Sequence, residues 1–287
     1  MEKLGQVFKR LREARHLSLL EASGGDFSPS MLSKFESGKN DLSAQKLFMA
    51  LENSHIEVDE YFYLVRGFSE SQLTKLQRNI QDLELNHDYD GLQALYTSEL
   101  KKWETHSSHK INALIIKAHM KVLDDTTQLS KIEEDFLYDY LFNTDIWGNY
   151  ELTLFSISST LISSELFVRY TREMLHKTDF LGLLNKNRHM VQTLLMNGFL
   201  LCVEVEDFVN ATYFDKYIQE HFFKENETYY RIIYLWAKGL LKYKLGRQSE
   251  GIEQMKQAIS ILEILNCHHA VQYYQAAMEK EILKNGD

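Results

Sequence analysis

In the stretch FSPSMLSKFESGK, residues 27–39, Ser30, Ser33, Lys34 and Ser37 fall at i, i+3, i+4 and i+7. On a helix this spacing sets three hydroxyls and one ammonium on a single face. Small hydroxyl side chains let a helix come close to a groove, and serine exchanges hydrogen bonds with phosphates or base edges. Ser28 stands at the start of the same stretch, and Arg10, Arg12, Arg15 and Lys39 add cations around it. The chemistry on offer is recognition of duplex DNA. Ser30, Ser33 and Lys34 would approach the major groove, and Arg10, Arg12, Arg15 and Lys39 would meet phosphates.

Such a face needs an accurately aimed helix. Ser28 is a good N-cap. Pro29, the only proline in 287 residues, follows at the first helical position, where its missing N–H costs nothing. Gly38 supplies a left-handed exit. Leu32 and Phe35, with Met31 beside them, turn to a core. Before this helix comes an amphipathic one with Leu4, Val7, Phe8 and Leu11 as its apolar stripe, then a short segment at Leu19–Ser23 closed by Gly24 and Gly25. After it, Ser43 caps a helix with Leu47, Phe48 and Leu51 inward, and a fifth helix covers Asp59–Leu64. Five short helices result, with a helix-turn-helix at the second and third.

Composition bounds the rest. With 44% apolar and 25% charged residues the chain reads as ordinary globular protein. No apolar run approaches the roughly 18–20 residues that span a bilayer, so no membrane partner is expected. The N-terminal MEKLGQVFKRLREARH lacks a signal-peptide core, and the expected compartment is the cytoplasm. Cys202 and Cys267 then read as plain core residues rather than a disulfide. Residues 1–66 hold nine Lys/Arg against ten Asp/Glu, a net of −1 in a chain of −9, which leaves −8 for the remainder. A near-neutral unit whose cations gather on one side still binds phosphate through its local field.

A boundary is expected near residue 66. Gly67 interrupts the pattern, Ser69 and Gln72 have capping-box spacing, and Leu73, Leu76, Ile80 and Leu83 repeat at helical intervals. One domain would span residues 1–66 and a second 67–287. No segment alternates strictly, so the fold class is all-α. No P-loop, G-x-S-x-G or H-E-x-x-H is present, and an enzyme is not expected. Cys267, His268 and His269 are adjacent, so on a helix they point about 100° apart and cannot all face one metal ion. No cofactor or metal is expected. His119, His176, His189 and His221 are scattered and read as exposed or satisfied side chains rather than pH sensors.

MLSKFESGKNDLSAQKL, residues 31–47, with Ser30 before it, resembles the Cro/repressor-like helix-turn-helix, through Ser30, Leu32, Ser33, Lys34, Glu36 and Gly38. Pro29 stands where many relatives have glutamine and Ser37 where arginine is common, so those two contacts are not implied. SPSMLSKFESG, WGNYELTLFS and NKNRHMVQTLLMNG in this order are similar to the Rgg/GadR/MutR regulators of Gram-positive bacteria. Residues 235–258, LWAKGLLKYKLGRQSEGIEQMKQA, resemble one tetratricopeptide unit, with Gly239, Gly251, Met255 and Ala258 at its packing positions. The repeat's usual proline near Glu263 is absent. Residues 194–218 read as a more degenerate helix pair, and the domain has room for about five pairs.

The resemblance implies a five-helix DNA-binding domain followed by a tetratricopeptide-like α-solenoid. It implies a cytoplasmic homodimer that binds double-stranded operator DNA, under control of a short, imported, hydrophobic signalling peptide on the concave face of the repeats. An extended peptide there leaves backbone N–H and C=O groups needing partners, and asparagine offers both a donor and an acceptor. Asn187, Arg188 and Asn197 lie on one expected inner helix. Arg188 would take a carbonyl or the terminal carboxylate, Tyr150, Phe155 and Tyr230 would supply apolar walls, and Arg231 a second polar anchor. The alternative is a peptide-controlled helical-repeat interaction module that binds no DNA. The N-terminal domain discriminates between them.

Overall fold

The computed structural model describes residues 3–67, 72–178, 185–221 and 224–284. Their regular structure is helical, in sixteen helices. The chain falls into two compact units, residues 1–82 and 83–287. Helix α6 (Gln72–Leu85) runs across this join, which falls later than the boundary expected at 66. Ser69, expected to cap α6, lies outside the described residues.

The first unit contains α1 (Leu4–Ala14), α2 (Leu19–Ser23), α3 (Pro29–Glu36), α4 (Ala44–Asn53) and α5 (Val58–Val65). Val7, Phe8, Leu11, Ala22, Leu32, Phe35, Leu47, Leu51, Tyr61 and Val65 make one buried core. Three serines start helices. Ser18, Ser28 and Ser43 each accept a backbone N–H at the third residue of α2, α3 and α4, satisfying donors that helix ends leave open. Helix α1 crosses α3 so closely that a Cβ on Gly5 would stand 1.9 Å from the Phe35 carbonyl oxygen. The Tyr61 hydroxyl donates to the Leu4 carbonyl at 2.8 Å and ties α5 back to α1. Phe48, expected inward, is 47% exposed. Ala50, fully buried, takes the inner position beside Leu47 and Leu51 instead.

The second unit continues with α7 (Tyr89–Leu100), α8 (Ser107–Leu123), α9 (Lys131–Asn143), α10 (Asn149–Ser158), α11 (Ser164–Lys177) and α12 (Asn185–Glu204). It ends with α13 (Phe208–His221), α14 (Thr228–Lys244), α15 (Gln248–Ile264) and α16 (His268–Lys284). Neighbours in sequence form hairpins, as in α7 with α8, α12 with α13, and α14 with α15. Alternate helices pack side by side, α8 on α10, α10 on α12 and α12 on α14. Helix α16 extends the series, its Tyr274 ring lying 5.1 Å from that of Trp236 and its Glu281 2.7 Å from the Lys244 ammonium. This stacking is that of a helical-repeat solenoid, in which each hairpin buries its apolar face only against its neighbours. Among the described residues no helix is long and apolar enough to cross a membrane.

Candidate functional site

The polar face of α3 stands as its spacing predicts. Leu32, Phe35 and Glu36 are buried, while Ser30, Ser33, Lys34 and Ser37 are exposed. Pro29 opens the helix behind the Ser28 cap, whose hydroxyl accepts the Met31 N–H at 3.3 Å. The Ser37 hydroxyl donates to the Lys34 carbonyl at 3.0 Å, so its proton is committed within the helix. Gly38 takes φ +71°, the left-handed exit. Arg10 and Lys39 are exposed. Arg15 is half-buried and meets Glu60 at 3.3 Å, a surface pair weak enough to be exchanged.

Arg12 is corrected. It does not reach outward to phosphate but turns into the unit with a side-chain exposure of 9%. Its Nε donates to Glu36 Oε1 at 2.7 Å, Nη2 to Glu36 Oε2 at 2.8 Å, and Nη1 to the Leu17 carbonyl at 2.6 Å. The paired carboxylate raises the guanidinium pKa further. A basic residue on an amphipathic helix points wherever its partner lies, and the partner is 24 residues away in sequence. A cation missed by sequence reading is Lys46, whose Nζ lies 3.2 Å from Met31 Sδ at the margin of the α3 face. Its place in the first turn after the Ser43 cap was the available signal.

In the second unit α12 lies at the centre of the layer. His189, Thr193 and Asn197 recur every four residues and share one side of it, where His189 and Asn197 are exposed and Thr193 half-buried. Tyr230 of α14 joins this side, its hydroxyl 2.9 Å from Thr193 Oγ1 and its ring stacked 6.2 Å from His189. Arg231 is exposed and Tyr150 half-buried. Arg188 and Asn197 do not share a face. Nine residues are two and a half turns, which puts them on opposite sides of the helix.

Two further residues are corrected. Phe155 is fully buried among the rings of Trp147, Phe167 and Tyr170, and walls no open groove. Asn187 is 4% exposed and sits inside the stack. Arg188 is engaged on Glu227, its Nε at 2.7 Å and Nη2 at 3.2 Å. Gln192 Nε2 and the Lys224 N–H also donate to Glu227, at 2.7 and 3.0 Å. The Arg188 bond is the main reason that the Glu227 carboxyl is held down to about 2. Around this pair opens a cavity of about 370 Å³, lined by Arg188, His189, Lys224, Asn226, Glu227 and Thr228–Tyr230.

The chain thus joins a helix-turn-helix unit to a stacked helical-repeat layer. The family described as HTH-type transcriptional regulator Rgg, C-terminal domain, matches residues 92–276, well over half of the chain. The chain belongs to this family of transcriptional regulators. The fold is shared with the SHP pheromone receptor Rgg2 of Streptococcus dysgalactiae, at 22% identity and a TM-score of 0.80, covering 97% of this chain and 99% of that one. It is shared with a transcriptional regulator of Listeria monocytogenes EGD-e at 20% identity and 0.81, covering 99% of each chain. It is also shared with PrgX in complex with iCF10, at 14% identity and 0.78, covering 100% and 98%.

Proposed function

We propose that the protein is a cytoplasmic transcriptional regulator that binds operator DNA as a homodimer and is controlled by a short hydrophobic signalling peptide, as in quorum sensing. The observation that carries this reading is the α3 face, in which Ser30, Ser33 and Lys34 stand exposed over a helix whose opposite side is buried. Arg10, Arg15, Lys39 and Lys46 supply the phosphate contacts, and the Ser28 cap aims the first turn. One reading helix contacts few base pairs, so useful affinity needs two heads on related half-sites. The exposed Tyr273 and Leu283 of α16 are suited to dimer contacts.

The peptide lies on the side of α12 that carries Thr193 and Asn197, with Tyr150, Tyr230 and Arg231 at its margins. The relatives support a peptide partner, since one is described as a pheromone receptor and another as a bacterial peptide pheromone/receptor complex. The test is selection of bound sequences from a random duplex pool, with sedimentation of the purified chain. Enrichment of one sequence with two related half-sites, by a dimer, is the expected result. No enrichment from any pool would leave an interaction module without DNA binding, and a monomer at micromolar concentration with and without DNA would remove the twofold arrangement.

A further inference from the structure

We infer that the cavity at the beginnings of α12 and α14 takes the free carboxylate end of the signalling peptide, and so sets the direction in which the peptide lies. The inference rests on the peptide-controlled reading above. At about 370 Å³ the cavity is near the lower end of ligand pockets, roughly 300–1,000 Å³, and suits the end of a chain rather than a whole peptide. Its walls are aromatic on one side, with Tyr229 and Tyr230, and polar on the other, with Arg188, His189, Lys224 and Asn226.

The sign of the charge decides which end enters. Glu227 is the only carboxylate among the described lining residues. Its two oxygens already accept from Arg188 Nε and Nη2, Gln192 Nε2 and the Lys224 N–H. The carboxyl is held down to about 2, so it stays ionised and balances the Arg188 guanidinium. What this pair leaves over is the ammonium of Lys224, which is exposed and has no ion-pair partner among the described residues. An ammonium terminus would be repelled here, whereas a carboxylate meets Lys224 in a charge-assisted hydrogen bond. Arg188 is thus a positioning residue. It orients Glu227, and the anion goes to Lys224 rather than to the guanidinium.

The experiment uses the full-length protein, immobilised, and pools of short synthetic peptides of random Leu, Ile, Val and Phe sequence. Each pool is made as free acids and as C-terminal amides, and retained sequences are read by mass spectrometry. Retained acids should outbind their amides roughly tenfold, the effect of losing one hydrogen bond to a charged group. Lys224→Gln should bring acids and amides to equal retention with an unchanged melting temperature, because the side chain is exposed. Equal retention of acids and amides by the wild type overturns the inference and leaves the peptide reading standing. So does a Lys224→Gln variant that still discriminates. Retention of nothing from either pool overturns the peptide reading itself, and the inference with it.

Discussion

Gly239 of α14 and Gly251 of α15 face each other so closely that a Cβ on either would stand 2.9 or 2.6 Å from the other's carbonyl oxygen. Met255 lies against the same spot, 2.9 Å from the Cβ that Gly239 lacks. The two backbones touch because neither residue has a side chain.

Gly251→Ala should therefore destabilise the second unit by about 1–3 kcal/mol through overpacking. A thermal melt of the purified variant reads this. Lys256→Ala is the control, at an exposed position of the same helix. A melting temperature for Gly251→Ala equal to that of the control would show that the helices separate without cost.

Arg12→Ala should unfold the first unit rather than weaken phosphate binding. It strands the Glu36 carboxylate, 5% exposed, without its bidentate partner, and breaking a buried pair costs about 3–5 kcal/mol. The double change Arg12→Met with Glu36→Leu should recover most of that loss. A normal melt with reduced DNA affinity would return Arg12 to the phosphate contacts.

Lys34→Ala should cost about 1–3 kcal/mol on the selected duplex and little on random duplex, if Lys34 reads a base. Lys46→Ala should weaken every sequence alike and flatten the salt dependence. Titrations at several salt concentrations separate the two. Equal losses on both duplexes for Lys34→Ala would make it a backbone contact.

Asn197→Ala and Phe155→Ala should part company. Asn197 is exposed, so its loss should lower peptide retention while the melting temperature holds. Phe155 is fully buried, so its truncation should cost about 3–5 kcal/mol of stability. Normal peptide retention by Asn197→Ala would move the groove away from that side of α12.

Glu227 makes stability depend on pH. Its folded carboxyl is held down to about 2, below the ordinary value of 4.5. A depressed carboxyl contributes stability that is fully present above the unfolded value and fades as pH falls toward the folded one. The melting-temperature gap between wild type and Glu227→Gln should be widest above 4.5 and close as pH approaches about 2. A gap of constant size across that window would mean that the ionised form is not what stabilises the join of α12 and α14.

Much of the first unit was legible because its signals are local. The Ser28 cap, Pro29 at the first helical position, the Gly38 exit and the i, i+3, i+4, i+7 hydroxyl face all act within about two turns of one helix, and local sequence decides such things. The close approach at Gly239 and Gly251 was readable for a related reason, since a missing side chain is visible without knowing what it touches. Partners distant in sequence were not readable. In sequence Arg12 looked like its neighbours Arg10 and Arg15 until α3 brought Glu36 beneath it, and a guanidinium goes where a buried carboxylate waits. Phe155 and Asn187 looked like groove residues until the stacking of α10 and α12 enclosed them. Helical phase separated Arg188 from Asn197, and the packing of α14 on α12 then claimed Arg188 for Glu227. Residue type and spacing determined which face each helix offers, while the tertiary structure alone decided which faces are covered, because burial and charge pairing depend on neighbours tens of residues away.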